Sequence, residues 1–171
     1  MRSSGVAMSD LRSFALSVYE VDGVPSAALL IQDRCDVDVN VLLLAAYVGA
    51  VRGCAVDFDD IAAVRNGVAA WQREVVVPLR TVRTRLKTGP SPAPSAETAK
   101  LRERVKTLEL DAELIELDVL SSFVASRDFP PALGDTVNAA VTAMTTVTGT
   151  VSDDDVKEAI SVIAAAAANA R

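Results

Sequence analysis

The sequence of 171 residues contains no histidine. Histidine is the commonest general acid–base residue and a frequent ligand of zinc and haem iron. Its absence excludes Ser-His-Asp and Cys-His catalysis, and it excludes di-iron sites built on Glu-x-x-His pairs. The glycine-rich phosphate-binding motifs GxGxxG and GxxxxGKS/T are missing as well. We therefore predict no catalytic residue, no metal site and no cofactor.

Aromatic residues and cysteines are also scarce. Aromatics make up 4% of a chain that is 50% hydrophobic, so the core must consist mainly of Ala, Val and Leu. The two cysteines, Cys35 and Cys54, form no CxxC pair, which is typical of reduced thiols in the cytoplasm. The longest uninterrupted apolar run, residues 41–51, is too short to cross a bilayer. We expect a cytoplasmic protein without a membrane segment.

The charge is acidic overall but unevenly distributed. A net charge of −6 argues against a nucleic-acid-binding protein, because such proteins need a basic surface. Between Arg65 and Lys106, however, ten Lys and Arg residues stand against three glutamates. Any anion-binding surface is therefore expected in this segment.

Hydrophobic periodicity predicts an all-α protein, a compact bundle of about six or seven helices in a single domain covering residues 1–171. Residues 1–8 are expected to be disordered, and the proline-rich segment 88–95 is expected to be a solvated loop between two helices. The segment 39–51 is apolar on nearly all sides, which is typical of a buried central helix.

A long helix is predicted from residue 57 to 87, bent or broken near Pro78. Trp71 lies in its apolar seam and is expected to anchor the core. At about 100° per residue, Arg80 should face nearly the opposite way, so that its substitution would alter binding rather than folding. Five basic side chains of this helix share one sector, namely Arg65, Arg73, Arg80, Arg83 and Lys87.

Two interpretations of this basic sector stay open. It could bind an anion such as RNA, a nucleotide or a phosphorylated ligand, and the candidate residues are Arg73, Arg80, Arg83 and Lys87. It could also be a solvated helix face, or one neutralised by acidic neighbours. The acidic stripe that could neutralise it consists of Glu109, Glu113 and Glu116.

A second polar cluster surrounds the start of the central helix and consists of Gln32, Asp33, Asp38 and Asn40. Carboxylates here could bind a hard cation or act as acid and base, with Asp33 and Asp38 as the candidates. The DxDxN pattern lacks the glycine and closing glutamate of a calcium loop. Asp38 is also well placed to cap the helix. We predict that the cluster is structural.

The most regular helix is predicted over residues 96–126, and it carries two apolar seams. Two seams imply contacts on two sides, either with two helices of the same chain or with one helix and a partner subunit. The first seam contains Leu101, Val105, Leu108, Ala112, Ile115 and Val119, and the second contains Leu110, Leu114, Leu117 and Val124. This helix and the helix at 39–51 are expected to be central.

The motifs Gln32-Asp33, Asp38-Val39-Asn40, Trp71, Pro78-Leu79-Arg80 and Leu86-Lys87 resemble those of a family of short bacterial proteins classed as a domain of unknown function. The resemblance covers residues 11–120 and excludes the Thr-rich and Ala-rich tail. It implies an intracellular helical domain of bacterial origin, and it implies no activity, ligand or catalytic residue.

The preferred hypothesis is a non-enzymatic protein–protein interaction or adaptor domain that binds another protein or a second copy of itself. The alternative is the anion-binding module described above. An enzyme that works with carboxylates alone is the least favoured class, because no second catalytic group can be named.

Overall fold

The computed structural model describes residues 7–149 and 152–170, and the side chains from residue 10 onward within those ranges. Helices account for most of the described residues. They are α1 (Ala7–Tyr19), α2 (Val24–Cys35), α3 (Val39–Ala50), α4 (Phe58–Trp71), a π-helical turn (Gln72–Val76), α5 (Val77–Arg85), α6 (Ala96–Ser126), α7 (Thr136–Thr148) and α8 (Asp154–Asn169).

The prediction of an all-α bundle is confirmed. Because α4, the π-helical turn and α5 follow one another without a break, the described residues form seven continuous helices and no strand. The only β-type pairing among them is an isolated bridge between Cys54 and Pro131. Of the predicted N-terminal extension, Ala7 and Met8 belong to α1, and residues 1–6 lie outside the described part.

The α3 helix lies at the centre of the bundle, as its composition predicts. Eleven of its twelve residues are buried, and α1, α2, α4, α6, α7 and α8 all pack against it. Asp38 caps its N-terminus by accepting hydrogen bonds from the backbone N–H groups of Asn40 and Val41. A helix without a polar face needs neighbours on every side, and the other helices supply them.

The helices α3 and α7 cross closely at Gly49. A Cβ atom at Gly49 would lie 2.6 Å from the carbonyl oxygen of Ala139 and 2.7 Å from the Cα of Ala140. Both contacts are with backbone, which cannot rotate out of the way. The Ala-rich face of α7 and the missing side chain at Gly49 together let the two helices approach closely.

The helix predicted over residues 57–87 is present as a continuous helix at residues 58–85, and it contains the π-helical turn just before Pro78. In this turn the N–H of Val77 donates to the carbonyl of Gln72, five residues earlier. Pro78 follows directly. Proline has no backbone N–H to donate, and its ring crowds the carbonyl group one turn earlier. One extra residue in a turn rotates everything after it by about 100°. The chain therefore stays helical at Pro78, but the side chains after the turn point about 100° away from where a regular α-helix would place them. We call this rotation the change of phase.

This change of phase places both Trp71 and Arg80 against α6, so the expectation that they face opposite ways is wrong. The indole N–H of Trp71 donates to the carbonyl of Ala112 at 3.0 Å. Arg80 pairs with Glu109 and Glu113, which flank Ala112 on α6. A nine-residue separation gives opposite faces only in a regular α-helix.

The C-terminal helices complete the bundle. Asp135 caps α7 and Asp153 caps α8, each through a side-chain oxygen that accepts a backbone N–H. Both helices pack on α3, and α8 also covers α2. The proline-rich loop is mostly exposed and ends at Ser95, which forms a capping box with Thr98 at the start of α6.

No single helix in the described ranges is both long enough and apolar enough to cross a membrane. The helices α1 and α2 meet the length and composition criterion only as a pair, across a bend of 100°.

The glycine at the α3–α7 crossing gives a stability prediction. We expect Gly49→Ala to destabilise the protein by about 3 kcal/mol, because the added methyl group overlaps backbone atoms. Gly67 in α4 is the control, since a Cβ there would meet no atom within 4 Å. Gly67→Ala should stabilise the protein by about 0.5–1 kcal/mol through helix propensity. Urea unfolding of both variants measures the difference, and equal stabilities would contradict the close crossing.

Candidate functional site

A group of linked ion pairs lies between α5 and α6. Arg80 donates from Nε to Glu109 at 3.0 Å and from Nη2 to Glu113 at 2.8 Å. Arg83 donates from Nε to the second oxygen of Glu109. Glu109 is only 5% exposed. Two arginines of the predicted basic sector are thus engaged by the predicted acidic stripe.

The pKa shifts follow from this pairing. Burial would raise the pKa of Glu109, but hydrogen bonds from Arg83 and Arg80 outweigh burial and hold the pKa below its ordinary value. Burial also raises the pKa of Glu113, and there the single hydrogen bond from Arg80 does not fully compensate. Burial lowers the pKa of Arg80, yet its bonds to both glutamates raise it overall.

Glu116 is the most unusual residue of the site, because its side chain is fully buried. Its Oε2 accepts a hydrogen bond from the side-chain amide of Gln72 in the π-helical turn. Its Oε1 is buried with no hydrogen-bond partner among the described residues. Burial, together with the nearby negative charge of Asp38, raises the pKa of Glu116 to about 8. Glu116 is therefore mostly protonated at neutral pH.

Of the four residues predicted to form a polar cluster at the start of α3, two contribute to the site on α6. Burial raises the pKa of the Asp38 carboxyl, which caps α3 beside Glu116. The side-chain amide of Asn40 donates to the carbonyl of Glu113 at 3.1 Å. Asp33 is exposed, and the backbone carbonyl of Gln32 accepts the N–H that ends α2. Asp38 and Asn40 therefore join the charged site on α6, while Gln32 and Asp33 lie apart from it.

The predicted basic sector is divided by the phase change at the π-helical turn. Arg65 donates to the carbonyl of Val147 at 2.8 Å. Arg73 is exposed, and within the described residues its ion pair is with its neighbour Glu74. Lys87 is exposed and makes no ion pair within the described chain. Only Arg80 and Arg83 lie together, and both face α6 rather than solvent.

Trp71 is less buried than predicted. Its ring is only partly covered, and its N–H bonds to the backbone of α6. Buried neighbours in α4 and the π-helical turn, such as Val68 and Val76, supply the apolar contacts expected of a core anchor. Trp71 thus joins two helices at the edge of the core instead of filling its centre.

We name Asp38, Asn40, Gln72, Arg80, Arg83, Glu109, Glu113 and Glu116 the polar network. It connects the start of α3 and the helix at 58–85 to the middle of α6. Within the described ranges, no group of three or more Cys, Asp or Glu side chains is arranged to hold a metal ion. Two surface depressions of about 250 Å³ lie elsewhere, near Phe58 and near Tyr47. The contacts of the network fix helix positions.

A second feature of α6 faces solvent. Four side chains of its first predicted seam are 45–54% exposed and form one line along the helix. We name this line the α6 apolar stripe, and it consists of Leu101, Leu108, Ile115 and Val119. The first seam is therefore not one surface, because Val105 and Ala112 are buried and the four residues of the stripe are exposed. In the second seam, Leu117 and Val124 are buried and Leu110 is exposed.

The comparisons with known proteins support the expected family of unknown function. A family described as "Protein of unknown function (DUF2390)" matches residues 10–120. The chain belongs to this family. No curated protein and no solved structure matches the chain. The match ends within α6, so the DUF2390 region contains the polar network and the α6 apolar stripe but not α7 and α8.

The polar network changes the expected effect of substituting Arg80 from an effect on binding to a loss of stability. Removing this guanidinium would leave Glu109 and Glu113 partly buried without one of their cations, so we expect Arg80→Ala to cost on the order of 1–3 kcal/mol. Arg73→Ala is the matched control on the same continuous helix at residues 58–85. Because the Arg73 side chain is exposed, its substitution should change stability by less than about 0.5 kcal/mol. Thermal melts at constant salt test both. Equal melting temperatures would show that the α5–α6 pairs are too hydrated to contribute.

The buried carboxyl of Glu116 predicts a pH dependence. The folded chain keeps a proton up to about pH 8, whereas an unfolded glutamate loses it near pH 4.3, so stability should fall by up to about 1.4 kcal/mol per pH unit between these values. No histidine titrates in the window.

Between pH 6 and 8, urea unfolding of the wild-type chain should therefore show this decline, and Glu116→Gln should remove most of it. Exposed Glu97 on the same helix provides the control variant Glu97→Gln, which should keep the wild-type slope. A Glu116→Gln slope equal to that of the wild type would show that Glu116 is ionised in the folded chain.

Proposed function

We propose that this DUF2390 chain is a non-enzymatic protein–protein interaction domain and that the α6 apolar stripe is its docking surface. The stripe is the single observation that carries the proposal. Isolated exposed leucines are ordinary, but four large apolar side chains aligned on one long helix are typical of a helix that packs against a partner.

The rest of α6 supports this assignment. The helix is 31 residues long, and its buried side is held by α1, α3, α4 and α5. The polar network prevents α6 from turning its stripe inward, because such a rotation would separate Glu109 and Glu113 from Arg80. The docking surface is therefore presented on a rigid helix, which reduces the ordering cost of binding.

The anion-binding alternative is less favoured. Arg80 and Arg83 are already paired with glutamates, and an incoming phosphate would have to displace those carboxylates. Arg73 and Lys87 are exposed, but they lie far apart along the sequence, one in the π-helical turn and the other after the end of α5. We propose the bacterial cytoplasm as the place of this interaction domain, because Cys35 and Cys54 form no disulfide with each other.

Affinity purification from the native cell, followed by cross-linking and mass spectrometry, tests the proposal. Leu108→Glu places a charge in the middle of the stripe. Leu133→Glu is the control, because Leu133 is 92% exposed in a loop away from α6. We expect the wild-type chain and Leu133→Glu to retain a cross-linked protein that Leu108→Glu loses. The same proteins recovered with all three chains would contradict the proposal.

A further inference from the structure

The stripe has a symmetry that a second copy of the same helix would match. Leu101, Leu108 and Ile115 are spaced by seven residues, so Leu108 is the midpoint of the three. Two such helices placed antiparallel, with a two-fold axis at Leu108, bring each Leu101 opposite Ile115 of the other copy. Leu108 then packs against Leu108 of the other copy. Such isologous contacts are the commonest kind in homo-oligomers.

Charges beside the stripe obey the same symmetry. Arg104 lies four residues before Leu108, and Asp111 lies three residues after it. At about 100° per residue, both fall on the same side of the stripe. In the antiparallel pair, same sides face each other, so Arg104 of one copy meets Asp111 of the other within one residue of axial offset. The two-fold axis generates this pair twice.

A second pair lies further from the axis on the same side. Lys100 lies eight residues before Leu108, and Asp118 lies ten residues after it. The antiparallel arrangement brings them within two residues of the same level. Asp118 also pairs with Arg12 of its own chain at 3.1 Å. Lys100 and the inner residues Arg104 and Asp111 are exposed, and these three make no ion pair within the described ranges.

The parallel arrangement lacks this complementarity. In a parallel pair related by a two-fold axis along the helices, opposite sides of the stripe face each other. The side with Arg104 and Asp111 would then face the side that holds Val105 and Ala112, which are buried within their own chain. Arg104 and Asp111 of the two copies would not lie opposite each other. The charges beside the stripe therefore favour an antiparallel partner with the same charge pattern.

We propose that the α6 apolar stripe binds the α6 apolar stripe of a second copy of this chain, antiparallel and centred on Leu108. This inference rests on the proposed function, because it names the partner of the same docking surface. The exposed stripe is short, so the dimer is reversible and its population depends on concentration.

Exchange of the charged pair tests the arrangement. Arg104→Asp alone places Asp against Asp111 twice across the axis, and Asp111→Arg alone places Arg against Arg104 twice. Each variant should dimerise on the order of tenfold more weakly than the wild type. A one-to-one mixture of the two variants should regain wild-type affinity, because both charge pairs are then opposite in sign. The double variant Arg104→Asp/Asp111→Arg should also regain it.

Sedimentation equilibrium over a range of concentrations measures these affinities against the monomer mass of 18.0 kDa. Leu108→Glu should remain monomeric, and Leu133→Glu should behave as the wild type. Circular dichroism of every variant checks that its helices are retained.

Two results would overturn the inference. A wild-type chain that stays monomeric at every concentration excludes the dimer, and single variants that do not recover on mixing exclude the antiparallel register. The proposed function fails separately. If the chain is monomeric but Leu108→Glu still loses a cross-linked protein of different sequence, the stripe is a docking surface for another partner.

Discussion

The structure depends on the burial of α3. Eleven of its twelve residues are buried, so the helix can exist only where neighbours enclose it on every side. The other helices are arranged to meet that requirement, and α7 approaches closely because Gly49 has no side chain. The two helices beyond the family match, α7 and α8, contribute to the enclosure. The DUF2390 region alone would leave a large part of α3 exposed.

Burial of α3 also explains why the polar network exists. The start of a buried helix still carries unpaired backbone N–H groups, and Asp38 satisfies two of them. This capping places a carboxyl beside Glu116, where two negative charges in a poorly hydrated place are unfavourable. Retention of a proton by Glu116 removes one of those charges. The arginines of α5 balance the remaining glutamates on α6, so the three segments are fixed together.

Composition and periodicity were sufficient to predict the helices, the central place of α3 and the capping role of Asp38, because these features depend on local sequence. The glutamates at 109, 113 and 116 were visible as a stripe that could neutralise the basic sector. The facing of Arg80 could not be predicted, because a π-helical turn has no clear sequence signal beyond the proline that follows it. Gln72 was missed for the same reason. The exposed part of the first α6 seam could be assigned only once its neighbours were known.

The π-helical turn also bears on how this chain tolerates changes in length. Deletion of one residue within Gln72–Val76 would allow the helix at residues 58–85 to close into a continuous α-helix. Eight regular steps from Trp71 to Arg80 span about 800°, the same angle as nine steps that include the π-helical turn, so Arg80 and Arg83 would keep their place beside the carboxyl of Glu109. The helix can therefore hold the same contacts at two chain lengths, with the π-helical turn or with one residue fewer and no such turn. Among related sequences, a spacing between Trp71 and Arg80 that is shorter by one residue is expected to occur with a regular helix and the same salt bridges.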